Sequence, residues 1–180
     1  MRHGETPSNL NGLFSGRTDV PLTERGIQQA RNAGGWLLRQ GISVDLITAS
    51  TLRRAQHTAE IVGEIIDVRE VIFDERLLEF DLGDLEGKPA KGVPASQRIA
   101  MAAEDPGDFH SRVTKAVGEY QQLPGSTLLV AHDAVGRAIR ATGPEYSDAP
   151  YDPSQLYEVE KYPNAWVVPL DWLSGTTPTA

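Results

Sequence analysis

Strand-length apolar runs alternating with amphipathic helical stretches predict an α/β layered domain with a mostly parallel central sheet. The runs Val44 to Thr48, Val68 to Phe73 and Thr127 to Ala131 are apolar, and the segments between them carry apolar residues at helical spacing. Ligands in such sheets gather at the carboxyl ends of the strands. His132 stands at one such end, and Ser50 opens the turn after another. At 180 residues, 39% of them hydrophobic, the chain suits one domain spanning 1–180, able to bury well over half of its unfolded-state surface.

Taken in order, residues 4–22 carry Gly4, Pro7, Asn9, Asn11, Gly12, Gly16 and Pro21 and read as loop. Thr23 is placed to cap a helix, with Glu24 against the positive end of its dipole. Ile27, Ala30, Ala33 or Gly34, Leu37 and Leu38 stand at apolar helical spacing on a face that reads as sheet-covering, and Gly41 stops the helix. Ser50 or Thr51 can cap the next helix, whose face is Leu52, Ala55, Ala59, Val62 and Ile66. Residues 84–108 are the least regular, with Gly87, Pro89, Gly92, Pro94, Pro106 and Gly107 and room for a short helix at 95–104. Phe109, Val113, Val117 and Tyr120 mark a third helix, closed by Pro124-Gly125, and Ala134 to Ala141 a last one before Gly143-Pro144. Residues 155–161 and 165–171 read as a β-hairpin turning at 162–164, and the tail 174–180 as frayed.

Composition narrows the chemistry. Asp and Glu number 25 against 17 Lys and Arg, and the formal charge of −8 argues against a nucleic-acid partner. A small phosphorylated metabolite stays compatible, because a few arginines focus charge locally. With no cysteine, disulfides and thiolate chemistry are excluded. No apolar run approaches the roughly 20 residues of a membrane span, and residues 1–20 lack a signal-type apolar core. The cytoplasm is the expected location. His57 and His110 have no ligand partners at zinc spacing, and no Gly-x-x-x-x-Gly-Lys-Ser/Thr loop occurs. Neither a metal nor another cofactor is expected.

The chain opens Met1-Arg2-His3-Gly4-Glu5-Thr6. An imidazole can attack phosphorus and hold the phosphoryl group covalently, and a neighbouring guanidinium offers paired donors to phosphate oxygens. An Arg-His pair alone is weak evidence, but four further segments accompany it. They are Gly16-Arg17-Thr18-Asp19-Val20-Pro21-Leu22-Thr23-Glu24-Arg25-Gly26, then Ser50-Thr51-Leu52-Arg53-Arg54-Ala55 with Thr58-Ala59. Leu78-Glu79 follows, with Gly83 and Leu85-Glu86-Gly87, and finally Val130-Ala131-His132 before a helix. These five segments, in this order over residues 2–137, resemble the histidine phosphatase superfamily with its phosphoglycerate mutase-like fold.

The resemblance implies a three-layer sandwich with helices on both faces of the sheet. It implies that His3 is the nucleophile, that Arg2, Arg54 and His132 surround the phosphoryl group, and that Glu79 donates the proton to the leaving oxygen. Arg54 rather than Arg53 takes the arginine role, and Arg53 is expected to be solvated. Asn9 and the backbone near Ser15 and Gly16 are expected to line the substrate side. Glu79 ends the apolar Leu77-Leu78 run, so burial can hold its proton for donation.

Two departures from the family pattern bear on function. Family members place an apolar strand before the Arg-His-Gly motif, whereas only Met1 stands there in this sequence. The expectation is a sheet lacking its usual first strand, with apolar edges unpaired, His3 on a mobile end, and a natural start upstream. Asp133 follows His132 where the family often has Gly, Ser or Asn. It opposes phosphate on the substrate side unless it turns away or meets an arginine such as Arg137. Cofactor-dependent mutases carry a long insertion with lysine and paired arginines, and residues 88–112 hold Lys88, Lys91, Arg98 and Arg112 with no such pair. Hydrolysis of a small phosphomonoester is therefore the expected activity, with a phosphoglycerate mutase and an inactive phosphate-binding or scaffold protein as alternatives. The C-terminal hairpin offers an edge to a second subunit, but oligomeric state is not legible.

Overall fold

The computed structural model describes residues 1–141 and 164–165. Three parallel strands, β1 (Leu46–Ala49), β2 (Val71–Phe73) and β3 (Thr127–Val130), form a sheet in the order β2-β1-β3. Ile47 pairs with Val71 on one side and Leu128 on the other, so β1 is central. Helix α2 (Glu24–Arg39) and helix α3 (Arg53–Ile66) pack together over one face, burying Ala30, Leu37, Ala59 and Val62 against Ile47, Ala49, Leu128 and Val130. On the other face α5 (Pro106–Gln121) and α6 (Asp133–Arg140) bury Phe109, Val113, Val117, Val135 and Ala138 with Leu77 and Phe80. The period of two along the strands divides their side chains between these cores: Ile47 and Ala49 face α2 and α3, while Thr48 donates to the Tyr120 hydroxyl of α5 at 3.0 Å. This is the layered α/β architecture that the alternation of apolar runs predicts.

Several boundaries differ from expectation for local reasons. Residues 4–22 are not all loop: α1 (Pro7–Leu10) forms because Thr6 and Asn9 cap its start reciprocally and proline tolerates the first helical position. Neither Ser50 nor Thr51 caps α3, whose N-cap is Leu52: the Asp19 carboxylate accepts from Arg53 N at 2.8 Å, while the Ser50 hydroxyl lies 2.8 Å from His132 Nε2 and reaches only Leu52 N, at 3.4 Å. Strand β2 starts at Val71, not Val68, since Asp67 adopts the left-handed conformation (φ 58°) and the Val68 N–H still closes onto the Gly63 carbonyl. Helix α5 begins at Pro106, inside the stretch read as irregular, because the Asp105 carboxylate caps Gly107 and Asp108. The short helix expected at 95–104 is α4 (Ala95–Met101). The hairpin at 155–171, apart from the turn at Asn164 and Ala165, and the tail lie outside the described residues.

The N-terminal segment corrects one expectation. No fourth strand precedes the Arg-His-Gly motif among the described residues, yet residues 1–3 continue the sheet beside β3. Arg2 bridges Ala131 in parallel, Met1 O accepts from Ala131 N and His3 N donates to Ala131 O, both at 2.9 Å. His3 is 4% exposed, anchored rather than dangling. Beyond it, Gly4 meets Gly26 at the start of α2 backbone to backbone: a Cβ on Gly26 would stand 2.2 Å from the Glu5 carbonyl oxygen, and one on Gly4 2.4 Å from that of Gly26. Gly26→Ala is expected to cost about 2–3 kcal/mol and lower Tm by about 5–10 °C. An unchanged thermal melt would contradict this account of the contact.

Candidate active site

His3 leaves the sheet edge with every backbone polar group held. Its N–H reaches Ala131, its carbonyl accepts from Asn164 Nδ2 and Ala165 N at 3.1 Å each, and the next N–H, that of Gly4, donates to Thr58 Oγ1 at 3.0 Å. The imidazole Nδ1 lies 2.6 Å from the Gly4 carbonyl oxygen. A carbonyl only accepts, so Nδ1 carries the proton and Nε2 carries the lone pair. The ring is thus held in the tautomer required for attack through Nε2.

The cations come from three elements. Arg2 lies one residue before His3 at the sheet edge. Arg54, 1% exposed, projects from the first turn of α3. Its Nη1 donates to the Thr18 carbonyl (2.8 Å) and its Nη2 to the Gly16 carbonyl (2.7 Å), which orients the guanidinium. Arg137 comes from α6. Asp133 meets it at 2.7 Å and lies 3.8 Å from Arg2, so the extra carboxylate is paired with arginine, one of the two arrangements that reconcile it with a phosphate site. Arg53 is solvated, its side chain 70% exposed.

Glu79 follows the 3₁₀ turn Glu75–Leu77 and is buried. Its Oε1 accepts from Phe80 N (2.9 Å) and its Oε2 from Ala134 N (3.3 Å). Burial, assisted by the negative charge of Asp133, pushes its proton affinity above the ordinary carboxylate range, against the pull of Arg54 and these two N–H groups. His132 ends β3 and sits edge-on to His3, ring centroids 5.2 Å apart. Burial, then the charge of Arg54 and the neighbourhood of His3 and Arg2, holds it well below the usual imidazole range, so it is neutral at pH 7. Its Nε2 is 2.8 Å from Ser50 Oγ, and its buried Nδ1 has no hydrogen-bond partner among the described residues.

A cleft of about 390 Å³ gathers Arg2, His3, Asn9, Ser15, Arg54, Glu79 and Asp133 on one surface. Two residues singled out from sequence do not line it: His132 lies behind His3, and Gly16 turns its N–H to Glu86 at 2.9 Å. Phe14 and Leu82 line the cleft with Lys91 and Arg98, whose guanidinium lies 5.3 Å from the Phe14 ring centre. Asn164 and Arg137 were not selected as site residues from the sequence. Arg137 had a usable signal, standing four residues after Asp133 on one helix face. Asn164 had none, because a Pro-Asn pair reads only as a turn. Yet its amide binds both the His3 carbonyl and Asn9 Oδ1 (3.1 Å), and Asn9 Oδ1 also accepts from Thr6 N (3.1 Å).

Comparison with known proteins gives the family. A stretch of 88 residues, 48% of this chain, is 48% identical to a 2,3-bisphosphoglycerate-dependent phosphoglycerate mutase of Methylorubrum extorquens, and covers 42% of that enzyme's length. A stretch of 62 residues, 34% of the chain, is 53% identical to the adenosylcobalamin/alpha-ribazole phosphatase of Escherichia coli, covering 30% of it. The chain thus spans less than half the length of these curated relatives. Among solved structures, Bacillus stearothermophilus YhfR superposes with a TM-score of 0.75 over 91% of this chain and 85% of that one, at 30% identity. The profile of the histidine phosphatase superfamily, branch 1, matches residues 1–170, and the chain belongs to that superfamily.

Proposed function

We propose that this chain hydrolyses a small phosphomonoester through a phosphohistidine at His3. The observation that carries the reading is the Nδ1 hydrogen bond to the Gly4 carbonyl, which leaves the Nε2 lone pair for phosphorus. Nε2 bonds to phosphorus as the bond to the leaving oxygen breaks, and Glu79, whose proton affinity burial raises, gives its proton to that oxygen. Arg2 and Arg54, which line the cleft, meet the charge that develops on the equatorial oxygens of the transferring group, while the neutral His132 backs the His3 ring from behind. Water then attacks the phosphohistidine, Glu79 takes its proton back from that water, and phosphate and free His3 result.

Asn9, Ser15 and the other lining residues Phe14, Leu82, Lys91 and Arg98 receive the leaving group. The absence of an arginine pair in residues 88–112 and the Glu79-to-Gly87 spacing favour hydrolysis over isomerisation. A mutase reading draws on the printed name of the Methylorubrum relative. One assay separates the readings: incubation with an aryl phosphate, and with 3-phosphoglycerate plus catalytic bisphosphoglycerate. Phosphate release that depends on His3 supports hydrolysis, isomerisation without release supports the mutase, and neither activity in a folded protein supports a binding role.

Asp133 offers a further check. It places a carboxylate among the arginines that would meet phosphate, and it raises the proton affinity of Glu79. Asp133→Asn is expected to tighten inorganic phosphate by about three- to tenfold. It is also expected to move the basic limb of the pH–rate profile to lower pH. Weaker phosphate binding would show that Asp133 supports the arginines more than it competes for them.

A further inference from the structure

The Leu85-Glu86-Gly87 segment has no part in the chemistry above, yet its glutamate is the most heavily engaged carboxylate near the cleft. Glu86 accepts from three successive backbone N–H groups: Gly16 at 2.9 Å, Arg17 at 2.8 Å and Thr18 at 3.3 Å. The Thr18 hydroxyl adds a fourth donor at 2.5 Å. Consecutive N–H groups converging on one point form an anion-binding concavity, and here a side chain of the same chain fills it. A Cβ on Gly16 would lie 2.5 Å from Glu86 Oε1 and 2.3 Å from the Phe80 carbonyl oxygen, so the approach requires glycine.

The carbonyls of the same loop go to Arg54. Its guanidinium takes Gly16 O at 2.7 Å, Thr18 O at 2.8 Å and, more loosely, Ser15 O at 3.4 Å. In a planar trans peptide the N–H and C=O point in opposite directions. The peptide joining Ser15 to Gly16 and the one joining Gly16 to Arg17 are therefore gripped from both edges, by Glu86 at the N–H and by Arg54 at the C=O. Each peptide dipole has its positive end on the carboxylate and its negative end on the guanidinium, an arrangement that polarises and strengthens both bonds.

We propose that Glu86 is a positioning residue that holds loop 15–18 and, through its two shared peptides, orients the Arg54 guanidinium toward the bound phosphoryl group. The proposal rests on the reading of Arg54 as a phosphoryl ligand. Glutamine at 86 keeps the shape but brings an NH₂ against donors that need an acceptor. Loop 15–18 then loses its anchor, and Arg54 its orientation.

The test is a double-mutant cycle read by calorimetric titration with inorganic phosphate and, separately, with orthovanadate. Glu86→Gln is expected to weaken both anions about tenfold and to lower kcat more than it raises KM, with Arg54→Lys weakening them further. In the Arg54→Lys background, Glu86→Gln is expected to add little. Thr18→Val, a milder change at an exposed loop residue, should lose about two- to threefold alone and nothing on top of Arg54→Lys, which keeps the cycle informative if Glu86→Gln does not fold. Losses that add across the two sites, or a Glu86→Gln protein binding as tightly as wild type while Arg54→Lys is weakened, would overturn the positioning role. Arg54→Lys with unchanged affinity would instead remove the reading of Arg54, and the proposal with it.

Discussion

His3→Ala is expected to reduce phosphate release by roughly four orders of magnitude or more, because the imidazole is the group whose tautomer the site fixes for attack on phosphorus. Stability should fall little by comparison. The backbone bonds to Ala131, Thr58, Asn164 and Ala165 do not involve the imidazole, so the variant is expected to fold and to bind inorganic phosphate. The measurement is kcat on an aryl phosphate beside a thermal melt and a phosphate titration. A folded His3→Ala protein with activity within tenfold of wild type would rule out His3 as the nucleophile.

Glu79→Gln is expected to lower kcat by about 10²–10⁴ on alkyl phosphates, whose leaving alkoxide needs a proton. On nitrophenyl phosphate, whose phenolate leaves without one, the burst of phenolate release should lose far less, with steady turnover then limited by the slowed dephosphorylation. The pH dependence follows from the direction of the Glu79 shift. Burial first, and Asp133 second, raise its proton affinity, so the acid form persists above the ordinary carboxylate range. Only the acid form donates. The rate on alkyl phosphates is therefore retained as pH climbs past the ordinary carboxylate range and falls once pH passes the raised value. In Glu79→Gln that basic limb should disappear. Equal losses on both substrate types, with the limb unchanged, would assign proton donation to another group.

The layered fold was legible because its cause is local and periodic. Apolar residues three and four apart in α2 and α3, and two apart in β1, are the faces that one core buries, and those of α5 face the other. Arg2, His3, Arg54, Glu79 and His132 could be selected together because the chemistry of phosphoryl transfer needs those groups and the five segments stand in family order. What escaped was geometry set by single hydrogen bonds between distant segments. Ser50 reads as a helix cap, but its hydroxyl goes to His132, 82 residues away. The hold of Asn164 on the nucleophile, and of Glu86 on the loop behind Arg54, leave no periodic trace. The anchoring of His3 escaped for a different reason. Two backbone bonds to Ala131 align residues 1–3 beside β3, and a count of preceding apolar residues does not register them.

The most direct test is to trap the intermediate. Wild-type protein is mixed with a radiolabelled phosphomonoester, quenched in alkali within the first turnover, and the label located by peptide mass spectrometry. The account predicts acid-labile, alkali-stable phosphate on Nε2 of His3, absent in His3→Ala and accumulating in Glu79→Gln with an aryl phosphate as dephosphorylation slows. Steady phosphate release with no label on His3 at any quench time, or label at a different residue, would contradict it.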